Sequence, residues 1–215
     1  MRRELDEELA QLNREMISMG SMCEQAIKLT EQSLIHETVQ QAREVKPLQE
    51  QILQKEKHIE SMCLRLLLLQ QPMASDLREI SAALKMVTDM FRIGEVAGDA
   101  ADIILYMNRF HRIADIEELS EKAVSMVHQS VDAFVKQDLQ LAKSVIAYDD
   151  VVDDLFLKVK KDLVQAIRSD ADDAEDYVDL LMIAKYFEKI GDHAVSIAEW
   201  VVYSLTGVHK GEVEP

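Results

Sequence analysis

Four carboxylates stand where the helical pattern of this chain calls for apolar residues. Asp149 and Asp153 lie four residues apart, as do Glu188 and Asp192. Residues at that spacing share one face of a helix. The apolar stripe around the first pair reads Val145, Val152, Phe156, Val159 and Leu163, and Asp149 falls on it. The stripe around the second reads Tyr177, Leu181, Ala184, Gly191, Val195, Ala198 and Val202, and Glu188 falls on it. Two helices therefore each turn a carboxylate pair toward one core. Burying such charges costs several kcal/mol per ion unless a cation partners them. One source of cations is Lys160, Lys185 or Lys189, which makes the set an ion-pair network. The other is a metal. An all-oxygen donor set suits hard ions such as Fe(III), Mn(II), Mg(II) or Ca(II), and Zn(II) is compatible with it. His193 follows Asp192 but projects about 100° away around the helix, so it reads as a neighbour rather than a ligand.

An internal repeat sharpens the choice. Leu84 to Asp102 lines up with Leu181 to Glu199 at an offset of 97, and Ser33 to Leu53 with Ala133 to Asp153 at an offset of 100. Ile93/Ile190, Gly94/Gly191, Ala97/Ala194 and Ala101/Ala198 are identical pairs. The first copy has lost most of the acids: Gln49 stands opposite Asp149, Leu53 opposite Asp153, and Phe91 opposite Glu188, while Glu95 keeps the charge of Asp192. A weaker acidic group of Glu56, Glu95 and Asp99 remains there. The difference predicts one metal site per chain, in the second copy.

The elements that must position these residues are helices. Gly numbers 6 and Pro 3 in 215 residues, which leaves little turn chemistry, and good helix formers dominate. The pattern predicts six helices, near 3–36, 38–70, 74–108, 117–136, 139–168 and 174–205. Pro47 bends or restarts the second, Asp138 caps the fifth, and Gly207 ends the sixth. Leu77, Ile80, Leu84, Val87, Phe91, Gly94, Gly98, Ala101 and Leu105 form the expected core stripe of the third. Its glycines make sense where a neighbour approaches the backbone closely. Short connections imply antiparallel neighbours. The expected fold is all-α, two tandem three-helix bundles: residues 1–109, residues 110–210, and a tail at 211–215.

A net charge of −16 argues against nucleic acid as a partner. Met-Arg-Arg is followed at once by acids, with no apolar leader core, and Leu64 to Leu69 is far too short to span a bilayer. The expectation is a cytosolic protein whose Cys23 and Cys63 are reduced, buried thiols. No phosphate-binding loop, dinucleotide motif or nucleophile constellation is present, so no enzyme is expected. The competing reading is a carboxylate-bridged helical bundle with a storage or redox role. Sites of that kind use Glu-x-x-His, and none of the six histidines has an acid three residues before it. The eleven methionines, Met86, Met90 and Met182 among them, read mainly as core filler.

Two motifs carry a resemblance. Gln71-Pro72-Met73-Ala74-Ser75-Asp76-Leu77-Arg78 resembles the QPxAxDLR signature of the PhoU family. Glu188-Lys189-Ile190-Gly191-Asp192 resembles that family's ERIGD motif, with Phe91-Arg92-Ile93-Gly94-Glu95 an altered copy. The resemblance covers nearly the whole chain. It implies a cytoplasmic accessory protein of the phosphate ABC transport system: a negative regulator of phosphate uptake and of phosphate-starvation signalling. The implied partners are the transporter ATPase and a membrane sensor histidine kinase, with contact to the membrane through partners only, and the implied assembly is a homodimer. Some members bind multinuclear iron or zinc clusters through acidic motifs. By resemblance the ligands here are Asp149, Asp153, Glu188 and Asp192. The turn at Gln71, Pro72, Asp76 and Arg78 is then a contact surface, or simply a helix stop and start in which Asp76 serves the first turn and Arg78 pairs with an acid.

Overall fold

Local chemistry sets the helix ends. The computed structural model describes residues 2–69 and 72–208, and within them the chain is six α-helices with no strand. They are α1 (Arg2–Ile35), α2 (Ala42–Leu69), α3 (Ala74–Tyr106), α4 (Ala114–Lys136), α5 (Leu139–Ser169) and α6 (Ala174–Thr206). Gln71 and the expected tail at 211–215 lie outside the described residues. Asp138 caps α5, its Oδ1 accepting from the amides of Gln140 and Leu141 at 3.0 Å each. Gly207 ends α6 at φ 76°, with its amide on the Tyr203 carbonyl. The repeat extends to the backbone: Glu37 and Gln137 both take the left-handed conformation at φ 52°.

Three expectations need correction. Pro47 does not restart α2, which runs through it; in the second turn the proline removes one intrahelical bond close to an end already short of them. α2 begins at Ala42 rather than Thr38, because the Ser33 hydroxyl takes the Ala42 amide at 2.7 Å and fixes the start there. The stripe expected on α3 is displaced at its margins. Leu77 is exposed and Leu84, Phe91 and Leu105 are half-buried, while Ala82, Met86, Met90, Ile93, Ala97 and Ala100 are buried. The reason is that α3 packs against α1, α2 and α6 together, so more than one stripe is covered.

Each half is an up-down-up bundle. α2 packs on α1 and α3, α5 packs on α4 and α6, and the halves join along α3·α6 and α1·α4. Both inner pairs run antiparallel. On α1·α4, Ser120 Oγ donates to Glu31 Oε1 at 2.6 Å and His128 meets Glu24 at 3.0 Å. One buried apolar cluster runs through both halves, from Leu12 and Met16 to Ile197 and Val201. Cys23 and Cys63 are buried free thiols, and Cys23 Sγ donates to the Met90 carbonyl at 3.2 Å. Burial pushes both thiols well up, Cys63 to about 12.

Close approach explains two glycines of α3. A Cβ at Gly94 would stand 2.9 Å from Ile52 Cδ1, and one at Gly98 would stand 2.9 Å from the Gln49 carboxamide. α2 thus lies almost on the α3 backbone.

Candidate functional site

α5 and α6 bring Asp149, Asp153, Glu188 and Asp192 into one neighbourhood. Gly191 lets the helices approach: a Cβ there would meet Val152 Cγ1 at 3.3 Å and lie 4.0 Å from Asp149 Oδ1. Depth is graded. Glu188 is buried at 8% exposure, Asp149 is half-buried, and Asp153 and Asp192 are exposed. In each pair the residue on the stripe is the deep one and its partner one turn on reaches solvent.

The electrostatics show crowding. The Asp149 carboxyl is pushed from its usual 3.8 up to about 6, first by burial, then by the charges of Asp153, Asp192 and Glu188. Glu188 is half satisfied. One oxygen pairs with Lys185, whose ammonium also sits 5.2 Å from the centre of the Phe156 ring. The other, Oε2, is buried and has no hydrogen-bond partner among the described residues. An orphaned buried carboxylate oxygen beside a carboxyl that resists ionisation fits a cation-binding role. The fit is one of chemistry, since no three of these carboxylates bring oxygens within 4.8 Å of one another.

In the first half Glu95 acts electrostatically on both Glu56 and Asp99, and a cation stands among them. Burial raises Glu56, helped by Glu60 and Glu95; burial raises Asp99, helped by Asp102 and Glu95. Arg92 holds Glu95 at 2.5 Å and lies 5.9 Å from the Phe91 ring centre. Phe91 thus stands where the second half has Glu188, and Arg92, opposite Lys189, is turned onto Glu95. Glu95, Asp99 and Asp192 line one groove between the halves with Gln49, Arg92 and Lys189.

The signature turn is structural on its α3 side. Asp76 is buried and accepts the Met73 amide at 3.3 Å, capping α3. Arg78 Nε donates to the Ser204 carbonyl at 3.3 Å, so among the described residues it serves the C-terminal end of α6 rather than an acidic side chain. Pro72 is half-buried and Met73 is 70% exposed.

Sequence reasoning missed a second group, in the connection between the halves. His111, Asp173 and Asp176 each offer a donor atom, all within 4.8 Å of one another, and can hold a metal ion. Asp173 and Asp176 lie at the start of α6, where acids are common because they suit the helix dipole, and this hid them. His111 has Asn108, not an acid, three residues before it, so the Glu-x-x-His search passed it over.

Comparison with known proteins places the whole assembly. A family profile described as "PhoU domain" matches residues 16–104 and again 116–201. A Clostridium acetobutylicum protein named "Phosphate-specific transport system accessory protein PhoU homolog" is 32% identical over 210 residues, covering 96% of each chain. A Pseudomonas aeruginosa protein of the same name is 30% identical over 93% of this chain and 84% of its own. The crystal structure of PhoU from Pseudomonas aeruginosa superposes with a TM-score of 0.88 at 30% identity, covering 94% of this chain and 99% of that one. The Streptococcus pneumoniae phosphate transport system regulatory protein PhoU matches in fold, with a TM-score of 0.88 at 22% identity over 95% of this chain and 98% of its own. Two matched copies, each a three-helix bundle, and relatives aligned end to end make this chain a member of the PhoU family.

Proposed function

We propose that the protein is a cytoplasmic adaptor that restrains phosphate uptake and phosphate-starvation signalling, acting by binding rather than catalysis. Its partners in this reading are the ATPase of the phosphate ABC transporter and a sensor histidine kinase, and it works as a homodimer. The observation that carries the reading is the end-to-end likeness, in both copies of the repeat, to proteins named as accessories of phosphate-specific transport. Two features support it. Among the described residues no helix is long and apolar enough to cross a membrane, so contact with membrane components would run through partners. The sequence also lacks phosphate-loop and nucleophile motifs. In this reading the two units meet at residues 109 and 110.

Asp149, Asp153, Glu188 and Asp192 are the residues that would hold an iron or zinc centre. The support is the orphaned Glu188 oxygen and the raised Asp149 carboxyl. A bound cation would neutralise the crowded carboxylates and tie α5 to α6. The chain's own contribution is the close helix approach at Gly191, the Lys185 pair on Glu188, and an exposed rim at Asp153 and Asp192 through which an ion can enter.

The test is affinity capture of the tagged protein from membranes of cells grown at high and low phosphate, read for transporter ATPase and sensor kinase. Recovery of both, varying with phosphate, is expected; recovery of neither under conditions that preserve membrane complexes refutes the adaptor reading. Elemental analysis of the purified chain and of Glu188→Gln tests the metal centre, which the substitution should empty.

A further inference from the structure

We infer that His111, Asp173 and Asp176 form a separate site for one divalent ion of the zinc class, at the junction between the two bundles. It shares no residue with the acidic face of α5 and α6.

The three donors are held in place by partners on their other atoms. Asp173 is buried at 9% exposure and commits Oδ1 to Arg109 at 2.7 Å. Asp176 is buried at 4% exposure and commits Oδ1 to the amides of Asn108 and Arg109 at 3.0 and 3.3 Å. The imidazole of His111 stacks on Tyr177 with ring centres 4.5 Å apart. Outer contacts of this kind fix the orientation of ligands around a metal.

The remaining atoms point to a missing partner. His111 Nε2 is buried and has no hydrogen-bond partner among the described residues. It stands 3.2 Å from Asp173 Oδ2, close enough for attraction but without hydrogen-bond geometry. Two ligands on a tetrahedral ion at about 2.0–2.1 Å stand roughly 3.3 Å apart. The spacing of these two atoms matches that of neighbouring ligands on one ion, and a donor of Asp176 lies within 4.8 Å of both. One imidazole nitrogen and two carboxylate oxygens, with a fourth position left to water, suit zinc and its neighbours better than calcium or magnesium, which take oxygen alone.

Arg109 limits the charge. With its guanidinium on Asp173, two carboxylates and a neutral imidazole carry a net charge near −1, which one divalent ion reverses. Such an ion would join the segment after α3 to the start of α6, across the two repeats.

The test is titration of the chelator-treated full chain with zinc chloride and cobalt chloride, read by calorimetry and by cobalt absorption. Three variants are compared: His111→Gln, Asp149→Asn with Glu188→Gln, and His128→Gln as a surface control. The site predicts that His111→Gln lowers zinc stoichiometry by one equivalent and that His128→Gln does not. It also predicts that the Asp149→Asn/Glu188→Gln chain still binds one equivalent, with an imidazole signature in zinc X-ray absorption. Full stoichiometry in His111→Gln, or no zinc bound by the double variant, overturns the proposal and leaves an ion-pair lock. The double variant also separates this outcome from failure of the acidic-face centre. If His111→Gln does not fold, 15N-histidine NMR of the unsubstituted chain decides: the His111 Nε2 resonance must move on adding zinc, and an unmoved resonance overturns the site.

Discussion

His193 of α6 stands 3.0 Å from Asp89 of α3, across the seam between the two bundles. The other oxygen of Asp89 accepts from Ser196 Oγ at 2.7 Å. One carboxylate of the first half thus takes two side chains of the second. Removing it strands both, and hydrogen bonds to a charged group contribute about 1.5–3 kcal/mol each at most. Asp89→Ala should therefore destabilise the chain by about 1–3 kcal/mol in urea unfolding, and Ser196→Ala by less. Equal stability of wild type and Asp89→Ala would show that the pair does not hold the halves together.

Gly94 and Gly98 should respond in opposite ways to alanine. A methyl at Gly94 meets the stiff, fully buried Ile52 at 2.9 and 3.1 Å. Overpacking of that kind costs about 1–3 kcal/mol, more than the roughly 1 kcal/mol of helix propensity gained. At Gly98 the obstacle is the mobile end of Gln49, which can swing aside. Gly94→Ala should lower the melting temperature and Gly98→Ala should leave it level or raise it. A drop of similar size in both would refute the distinction.

Asp149 makes the metal-free chain pH-sensitive in a defined direction. Its folded value, about 6, lies above the usual 3.8. A raised carboxyl favours folding while protonated, so its contribution is fully present below about 4 and is lost as pH rises through 6. Water screens a half-buried group, so the effect should be about 1–2 kcal/mol rather than the full linkage value. Asp149→Asn should flatten the stability profile between pH 4 and 7 and stabilise the chain at neutral pH. An unchanged profile would mean that the carboxylates are not crowded.

Arg78 holds the end of α6 from the start of α3. Arg78→Ala should cost about 1 kcal/mol, read by denaturant unfolding, and should speed amide exchange near Ser204. Arg78→Lys should recover part of the loss. Unchanged exchange at the α6 terminus would refute the role.

What was legible in the sequence was what one helix decides for itself. Asp138 and Gly207 marked ends because capping is local. Glu188 and Asp149 stood out because an acid on an apolar stripe violates a period that a single helix sets. Which acid of each pair lies deep followed from the stripe; that Glu188 is buried and Asp149 only half-buried did not, since it depends on how α5 meets α6 near Gly191. The stripe on α3 was misplaced because three helices cover it, and a repeat says nothing of how its copies face each other. His111 was invisible for the same reason: it becomes a ligand only when the start of α6 comes to it.

The inner pair α3·α6 is bonded at both ends and in the middle. Arg78 reaches the tail of α6, Asp176 takes the amides just beyond α3, and Asp89 holds His193 between. A beam fastened along its length has no joint. The inner pair thus couples the two bundles along its length, and α2 and α5 are the outer members, each packed within its own half. Those are the members that carry Glu56 on one side and Asp149 and Asp153 on the other, so a cation on the acidic face would brace an outer helix against the fastened beam.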